Sequence, residues 1–273
     1  MHTIRMLYVS TMHQVRMRRA ATPAPELTPA PELGISPDTV MSEIDLTGSS
    51  RLADVVSDQW LDDVRTYVDT LPTDVHEVML EGAAADELPF LQQLTSNTEL
   101  TAMLEVVARK AYPRAGTARP NIECALRVIN GADDADHPLW FHYDATVLTV
   151  VVPIDVPDVG AGRSGELVLC PNHRPYRRWA LSNVIEKAVV QHDAYRRRFI
   201  RRLNWSRDTE LVPLQPGNAY LFCGYRSYHA TMPVPTGTRR VTVILHYRDV
   251  HEQSRIIKHA KMFHRRMRHI PKA

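Results

Sequence analysis

The stretch that most limits what this chain can fold into is Ala145 to Ile154, an apolar run rich in β-branched residues that follows directly on Phe141-His142-Tyr143-Asp144. Branched side chains pack well on a pleated surface, so the run reads as a strand. Along a strand the side chains alternate faces, so His142 and Asp144, two positions apart, point the same way and can grip one ion. A bare His-x-Asp is a weak signal, because the spacing recurs by chance and a lone histidine is more often a satisfied polar or core residue. A third ligand is needed. The candidate lies far downstream in Tyr220 to His229, where a second apolar strand ends in a turn that delivers His229. Two histidines and one carboxylate that leave a face of the ion open form the triad suited to non-haem Fe(II).

Around these residues the sequence is strand-rich. From Asn121 the period is two, with Ile122, Cys124, Leu126 and Val128 on one face and Glu123, Ala125 and Arg127 on the other. Further strands are expected at Leu148 to Ile154, Gly165 to Cys170, Ala219 to Cys223 and Arg240 to Tyr247, separated by turns bearing Gly and Pro. The fold class expected is mainly β with flanking helices, on a double-stranded β-helix core of the jelly-roll or cupin type.

After His229 the chain runs through Pro233, Val234, Gly237 and Arg239 into the next strand, and Gly165-Glu166-Leu167 lies between the two halves of the triad. In this ordered set, over about residues 120 to 250, the chain resembles the Fe(II)/2-oxoglutarate-dependent dioxygenases, especially their prolyl-4-hydroxylase-like branch. That branch carries His-x-Asp, then Gly-Glu-Leu, then His-x-x-x-Pro-Val-x-x-Gly-x-Arg. The combination is specific where no single piece is. The resemblance implies a metal bound by His142, Asp144 and His229, which are also the catalytic residues, with 2-oxoglutarate and O₂ as cosubstrates and ascorbate as a stimulant. Arg239 falls at the Gly-x-Arg position and is expected to meet the distal carboxylate of 2-oxoglutarate, a task for a planar, permanently charged group. Arg240, adjacent, should face the opposite side of a regular strand. The reaction implied is hydroxylation of an unactivated C–H bond with release of succinate and CO₂. Family members that halogenate have a small residue in place of the carboxylate, and here Asp144 is present.

The substrate is less legible. Arg127 and Arg226 are candidate substrate-binding residues, and Arg127 points to an anionic or amino-acid-like small molecule unless Glu123 or Glu166 answers its charge. Trp140 and Phe141 are expected in the core, and Tyr143, between two inward residues, should point away from the metal. A helical, basic stretch at 181–208 contains Tyr195 to Arg202. In the family such insertions commonly cover the cavity mouth, whereas the helical spacing of Tyr195, Phe199 and Leu203 would anchor the helix and turn most arginines outward. Alternatives are a protein or nucleic-acid hydroxylase or demethylase that docks through this insertion, or a non-catalytic cupin-like metal-binding protein. The formal net charge of +2 is modest, and no nucleic-acid-binding module is apparent.

The remaining organisation is a flexible Pro-rich tail over 1–40, in which Met1 to Val9 can pair as an edge strand, then a helical support region over 41–115, the catalytic core over 116–250 and a basic C-terminal helix over 251–273. Within the support region one helix is expected from Leu52 to Leu71, stopped by Pro72. A second should start at Ser96-Asn97-Thr98-Glu99, with Ser96 and Glu99 forming a capping box. No run approaches the roughly 18 apolar residues a spanning helix needs. Three scattered cysteines, Cys124, Cys170 and Cys223, read as buried thiols of a reducing, cytoplasmic setting. Oligomeric state is not legible.

Overall fold

In this computed structural model the chain is described over residues 6–9, 33–114, 122–131, 139–177, 179, 183, 186 and 188–251. Residues 10–32 of the Pro-rich tail and 252–273 of the basic C-terminal segment lie outside these residues. Among them no helix is long and apolar enough to cross a membrane.

The strands are β1 (Met6–Val9), β2 (Ser49–Leu52), β3 (Glu77–Glu81), β4 (Ile122–Asn130), β5 (Thr146–Asp155), β6 (Leu167–Cys170), β7 (Glu210–Val212), β8 (Ala219–Phe222), β9 (Tyr228–Thr231) and β10 (Arg239–Asp249). They form a seven-stranded sheet in the order β1-β3-β4-β10-β5-β8-β2 and a three-stranded sheet in the order β7-β6-β9. Pairing is antiparallel apart from β1, which runs parallel to β3 at the edge. The two sheets face each other over Val151, Leu167, Leu169, Val212, Tyr220 and Phe222 without closing into a barrel. The other face of the large sheet is covered by α1 (Pro37–Thr47), α2 (Asp58–Val68), α4 (Pro89–Ser96) and α5 (Thr98–Ala111), with the short α3 (Ala83–Asp86) beside them. Both faces of β5 are therefore buried, which is why its sequence is a continuous apolar run and not an alternation.

Three local expectations are corrected. The tail does not extend to residue 40: Ser36 caps α1, its hydroxyl accepting from Thr39 N at 3.1 Å, and Pro37 occupies the first turn, where a missing N–H costs nothing. The helical spacing from Leu52 to Leu71 holds only over α2. Leu52 ends β2, whose backbone pairs with β8, and that ladder outweighs a weak local pattern. At α5 the cap is Asn97, which accepts from Glu99 N and Leu100 N at 3.1 and 3.0 Å, while Ser96 ends α4.

The basic insertion contributes α6 (Asp193–Arg202) and α7 (Trp205–Asp208). Tyr195, Phe199, Ile200 and Leu203 pack on Phe141, Val168, Cys170, Tyr228 and Ala230, the outer face of the small sheet. This corrects the family expectation of a cover over the cavity mouth. The helix is a buttress, placed by its aromatic stripe, and Arg197, Arg198, Arg201 and Arg202 are exposed. All three cysteines are free and buried, and burial pushes their thiols up to about 11 or 12.

Candidate metal centre

His142 and His229 are cross-strand neighbours. His142 N donates to His229 O at 2.9 Å and His229 N to His142 O at 3.0 Å, which attaches the segment before β5 to the free edge of β9. Asp144 N donates to Gly224 O at 3.0 Å, in the turn between β8 and β9. Residues 87 positions apart in sequence are thus brought together by two sheet edges: one donor atom from each of His142, Asp144 and His229 lies within 4.8 Å of the others. His142 Nε2 is 3.6 Å from Asp144 Oδ1, and His229 Nε2 is 3.4 Å from Asp144 Oδ2.

The surroundings orient these groups. Each imidazole has its Nδ1 at 2.9 Å from the carbonyl two residues upstream, Trp140 O for His142 and Ser227 O for His229. A carbonyl only accepts, so Nδ1 carries the hydrogen and each Nε2 presents its lone pair to the centre. Thr149 Oγ1 donates to Asp144 Oδ2 at 2.5 Å, and His246 Nδ1 stands 3.9 Å from the same oxygen. Burial would raise the Asp144 carboxyl, but His229, His246, His142 and the Thr149 hydroxyl together hold it well below the usual carboxylate range. His142 is lowered to about 3 by burial first and by the His229 imidazole next, against the opposing pull of Asp144. Its side chain is 40% exposed. An ionised carboxylate and a neutral imidazole are the protonation states a metal ligand needs. This donor set fits a ferrous ion with open positions.

The arginine expected to meet 2-oxoglutarate, Arg239, does not face the cavity, whereas its neighbour Arg240 does. Arg239 projects to the helix side of the large sheet, where it binds Asp69 at 2.7 Å and Asp155 at 3.0 Å. Arg240 projects between the sheets, 2% exposed, with Nη1 donating to Thr242 Oγ1 at 3.3 Å and Nε without a partner. Burial lowers its guanidinium to about 9, with Arg127 adding to the effect and Glu166 and Glu77 opposing it. Val241, Val243, Leu245 and Tyr247 belong to the helix-side core, so Arg240 and Thr242, on the alternate positions of β10, face the cavity. The Gly-Glu-Leu motif serves the same pocket. A Cβ on Gly165, where φ is +68°, would lie 2.5 Å from Arg240 Cδ. Glu166 ties the preceding loop by accepting from Gly162 N and Ser164 N at 2.6 and 2.9 Å, and Leu167 enters the inter-sheet core.

The other candidates are placed as follows. Arg127 faces the cavity, but its Nε donates to Glu77 Oε1 at 2.6 Å, a partner on β3 that neither Glu123 nor Glu166 supplies. Arg226 is not at the triad; its guanidinium lies 5.7 Å from the Tyr176 ring, beside Cys223. Tyr143 does point away from the centre, to His173 Nδ1 at 2.6 Å. Phe141 is fully buried, but Trp140 is 52% exposed, contrary to its expected place in the core. Thr149, Gly224 and His246 were not among the sequence candidates. The even-residue parity of β10, shared by Arg240 and Thr242, was the one available signal for His246.

Against known proteins, no family model and no curated protein matches the sequence. Solved structures do match. The non-haem α-ketoglutarate-dependent epimerase SnoN from nogalamycin biosynthesis is 15% identical, with a TM-score of 0.53 over 78% of this chain and 83% of that one. HygX from Streptomyces hygroscopicus, with nickel, 2-oxoglutarate and hygromycin B bound, is 10% identical, with a TM-score of 0.51 over 77% and 86%. A prolyl 4-hydroxylase from Phytophthora capsici is 16% identical, with a TM-score of 0.51 over 81% and 65%. The fold is that of the 2-oxoglutarate- and iron-dependent oxygenases, a double-stranded β-helix with flanking helices.

Proposed function

We propose that this protein is an Fe(II)- and 2-oxoglutarate-dependent oxygenase that hydroxylates an unactivated C–H bond of a small molecule, releasing succinate and CO₂. One observation carries the reading: a buried guanidinium, Arg240, with no ion pair to a carboxylate among the described residues, faces the same cavity as a metal-ready His-Asp-His set. A lone buried cation is costly, and a dicarboxylate that reaches from the metal to Arg240 supplies the missing anion.

When bound, iron and 2-oxoglutarate supply the oxidising chemistry. The chain's own part is to hold and orient. His142, Asp144 and His229 would hold the metal, with Thr149 and the two carbonyl-bound Nδ1 groups setting the direction of their donor atoms. Arg240 and Thr242 would receive the far carboxylate of the cosubstrate, Arg240 as a planar charge-assisted donor. The apolar walls Val151, Leu169, Tyr220 and Phe222 keep water from the space between the sheets.

SnoN comes from nogalamycin biosynthesis and HygX holds hygromycin B, as their names state, which supports a small-molecule substrate here. The anionic or amino-acid-like substrate suggested by Arg127 loses its main argument, since Glu77 already answers that charge. The reading is tested by adding Fe(II) and then 2-oxoglutarate without oxygen and following the visible charge-transfer band of the chelate, then screening for substrate-dependent succinate. Absence of the band with metal bound would reject it in favour of the cupin-like binding protein.

A further inference from the structure

Of the five arginines on α6, Arg196 alone is buried, 6% exposed, and its guanidinium turns toward the metal-ligand segment. Its Nε donates to Phe141 O at 3.0 Å, and its guanidinium lies 4.5 Å from the centre of the Trp140 ring. Its Nη1 is held by Asp193 Oδ1 at 3.2 Å, one turn back on α6. Trp140 and Phe141 immediately precede His142, and Trp140 O is the acceptor that fixes the His142 ring. On its other side the segment is attached to β9 by a single bridge, His142 to His229. A segment so lightly paired to the sheet needs a second point of attachment.

We infer that Arg196 is a positioning residue for the metal centre: through the Phe141 carbonyl and the Trp140 ring it sets the backbone from which His142 presents Nε2. The basic insertion then has a purpose distinct from docking, since one arginine turns inward to brace the ligand strand while its neighbours stay in solvent. The phenylalanine ring shares in this, stacking on Tyr228 at 5.2 Å and meeting Phe199 of α6 at 5.3 Å, so that α6 and the ligand segment form one packed unit. This inference rests on the metal-centre reading above.

The test is a titration of Co(II), as a surrogate for Fe(II), into the full chain, read by calorimetry and by the d–d absorption of the bound ion, with melting of the metal-free protein measured in parallel. Groups that orient a metal-bound histidine typically account for about 10- to 100-fold in metal affinity. Arg196→Gln is expected to weaken Co(II) binding by that factor and to alter the d–d bands, while Arg197→Gln, an exposed neighbour, matches the wild type. Arg196→Lys keeps the charge but not the flat fork over Trp140, and should be intermediate. A folded Arg196→Gln protein with wild-type Co(II) affinity and spectrum overturns the inference, even if its melting temperature falls. Should Arg196→Gln not fold, wild-type binding in both Arg196→Lys and Trp140→Ala overturns it equally. A wild-type protein that binds no Co(II) sinks the metal-centre reading itself, a separate outcome.

Discussion

Arg239 and Arg240 are adjacent in sequence and serve opposite faces of one strand: Arg239 is paired with Asp69 and Asp155 outside the cavity, and Arg240 is buried inside it with no carboxylate partner among the described residues. Arg240→Gln should therefore weaken 2-oxoglutarate binding by an amount on the order of 2–5 kcal/mol, the usual cost of truncating one partner of a desolvated charge pair. Arg239→Gln should leave it nearly unchanged. The 2-oxoglutarate dependence of the chelate band measures both, and a large effect confined to Arg239 would restore the register first expected from the sequence.

Gly224 admits no side chain. A Cβ there would lie 2.2 Å from Thr149 Oγ1 and 2.4 Å from Asp144 Oδ2. Gly224→Ala must displace the hydroxyl or the carboxylate, so overpacking of about 1–3 kcal/mol should accompany a loss of metal affinity. Chemical denaturation and metal titration on the same variant separate the two effects; unchanged affinity would mean that the Thr149–Asp144 arrangement beside Gly224 does not serve the ion.

Thr149→Val keeps the shape of the side chain and removes the donor to Asp144. Because that hydrogen bond helps hold the carboxyl low, its loss raises the carboxyl toward ordinary values. Metal binding should then fail at a higher pH than in the wild type, as the proton competes with the ion. Affinity profiles that superimpose through the ordinary carboxyl range, about pH 3 to 5, would count against this role.

Acid stability should depend on Glu186. Its carboxyl is lowered by hydrogen bonds from Arg177 first and Arg174 next, with burial opposing. A carboxyl lowered on folding contributes stability that is fully present above its unfolded value, about 4.3, and is lost as pH falls through the folded one. Urea midpoints of Glu186→Gln should thus lie below the wild type near neutrality and converge with it in acid. A constant gap at all pH values would point to packing alone.

The exposed arginines of α6 should matter little to the centre. With Arg197, Arg198, Arg201 and Arg202 changed to Gln, Co(II) and 2-oxoglutarate binding should stay close to the wild type with weak salt dependence. A small-molecule turnover that collapsed in a steeply salt-dependent way would favour the polyanion-docking alternative.

Much of this protein was legible in its residues because the signals were local. Alternation from Ile122 to Val128, the apolar run into Ile154, and the aromatic stripe Tyr195, Phe199 and Leu203 each follow from a period that the backbone imposes on side-chain direction. The His-x-Asp pair and the distant His229 could be named together through their family-like order. What the chain could not reveal locally was which side of each element becomes interior. Arg239 and Arg240 are equally good guanidinium donors, and only the packing of Val241, Val243 and Leu245 against the helices turns Arg240 inward. Leu52 fits a helical stripe until β8 offers it a ladder, and Arg127 looks like a substrate group until β3 brings Glu77 alongside. In each case a contact between residues far apart in sequence outweighs a local preference of comparable size, and such contacts exist only once the sheets have formed.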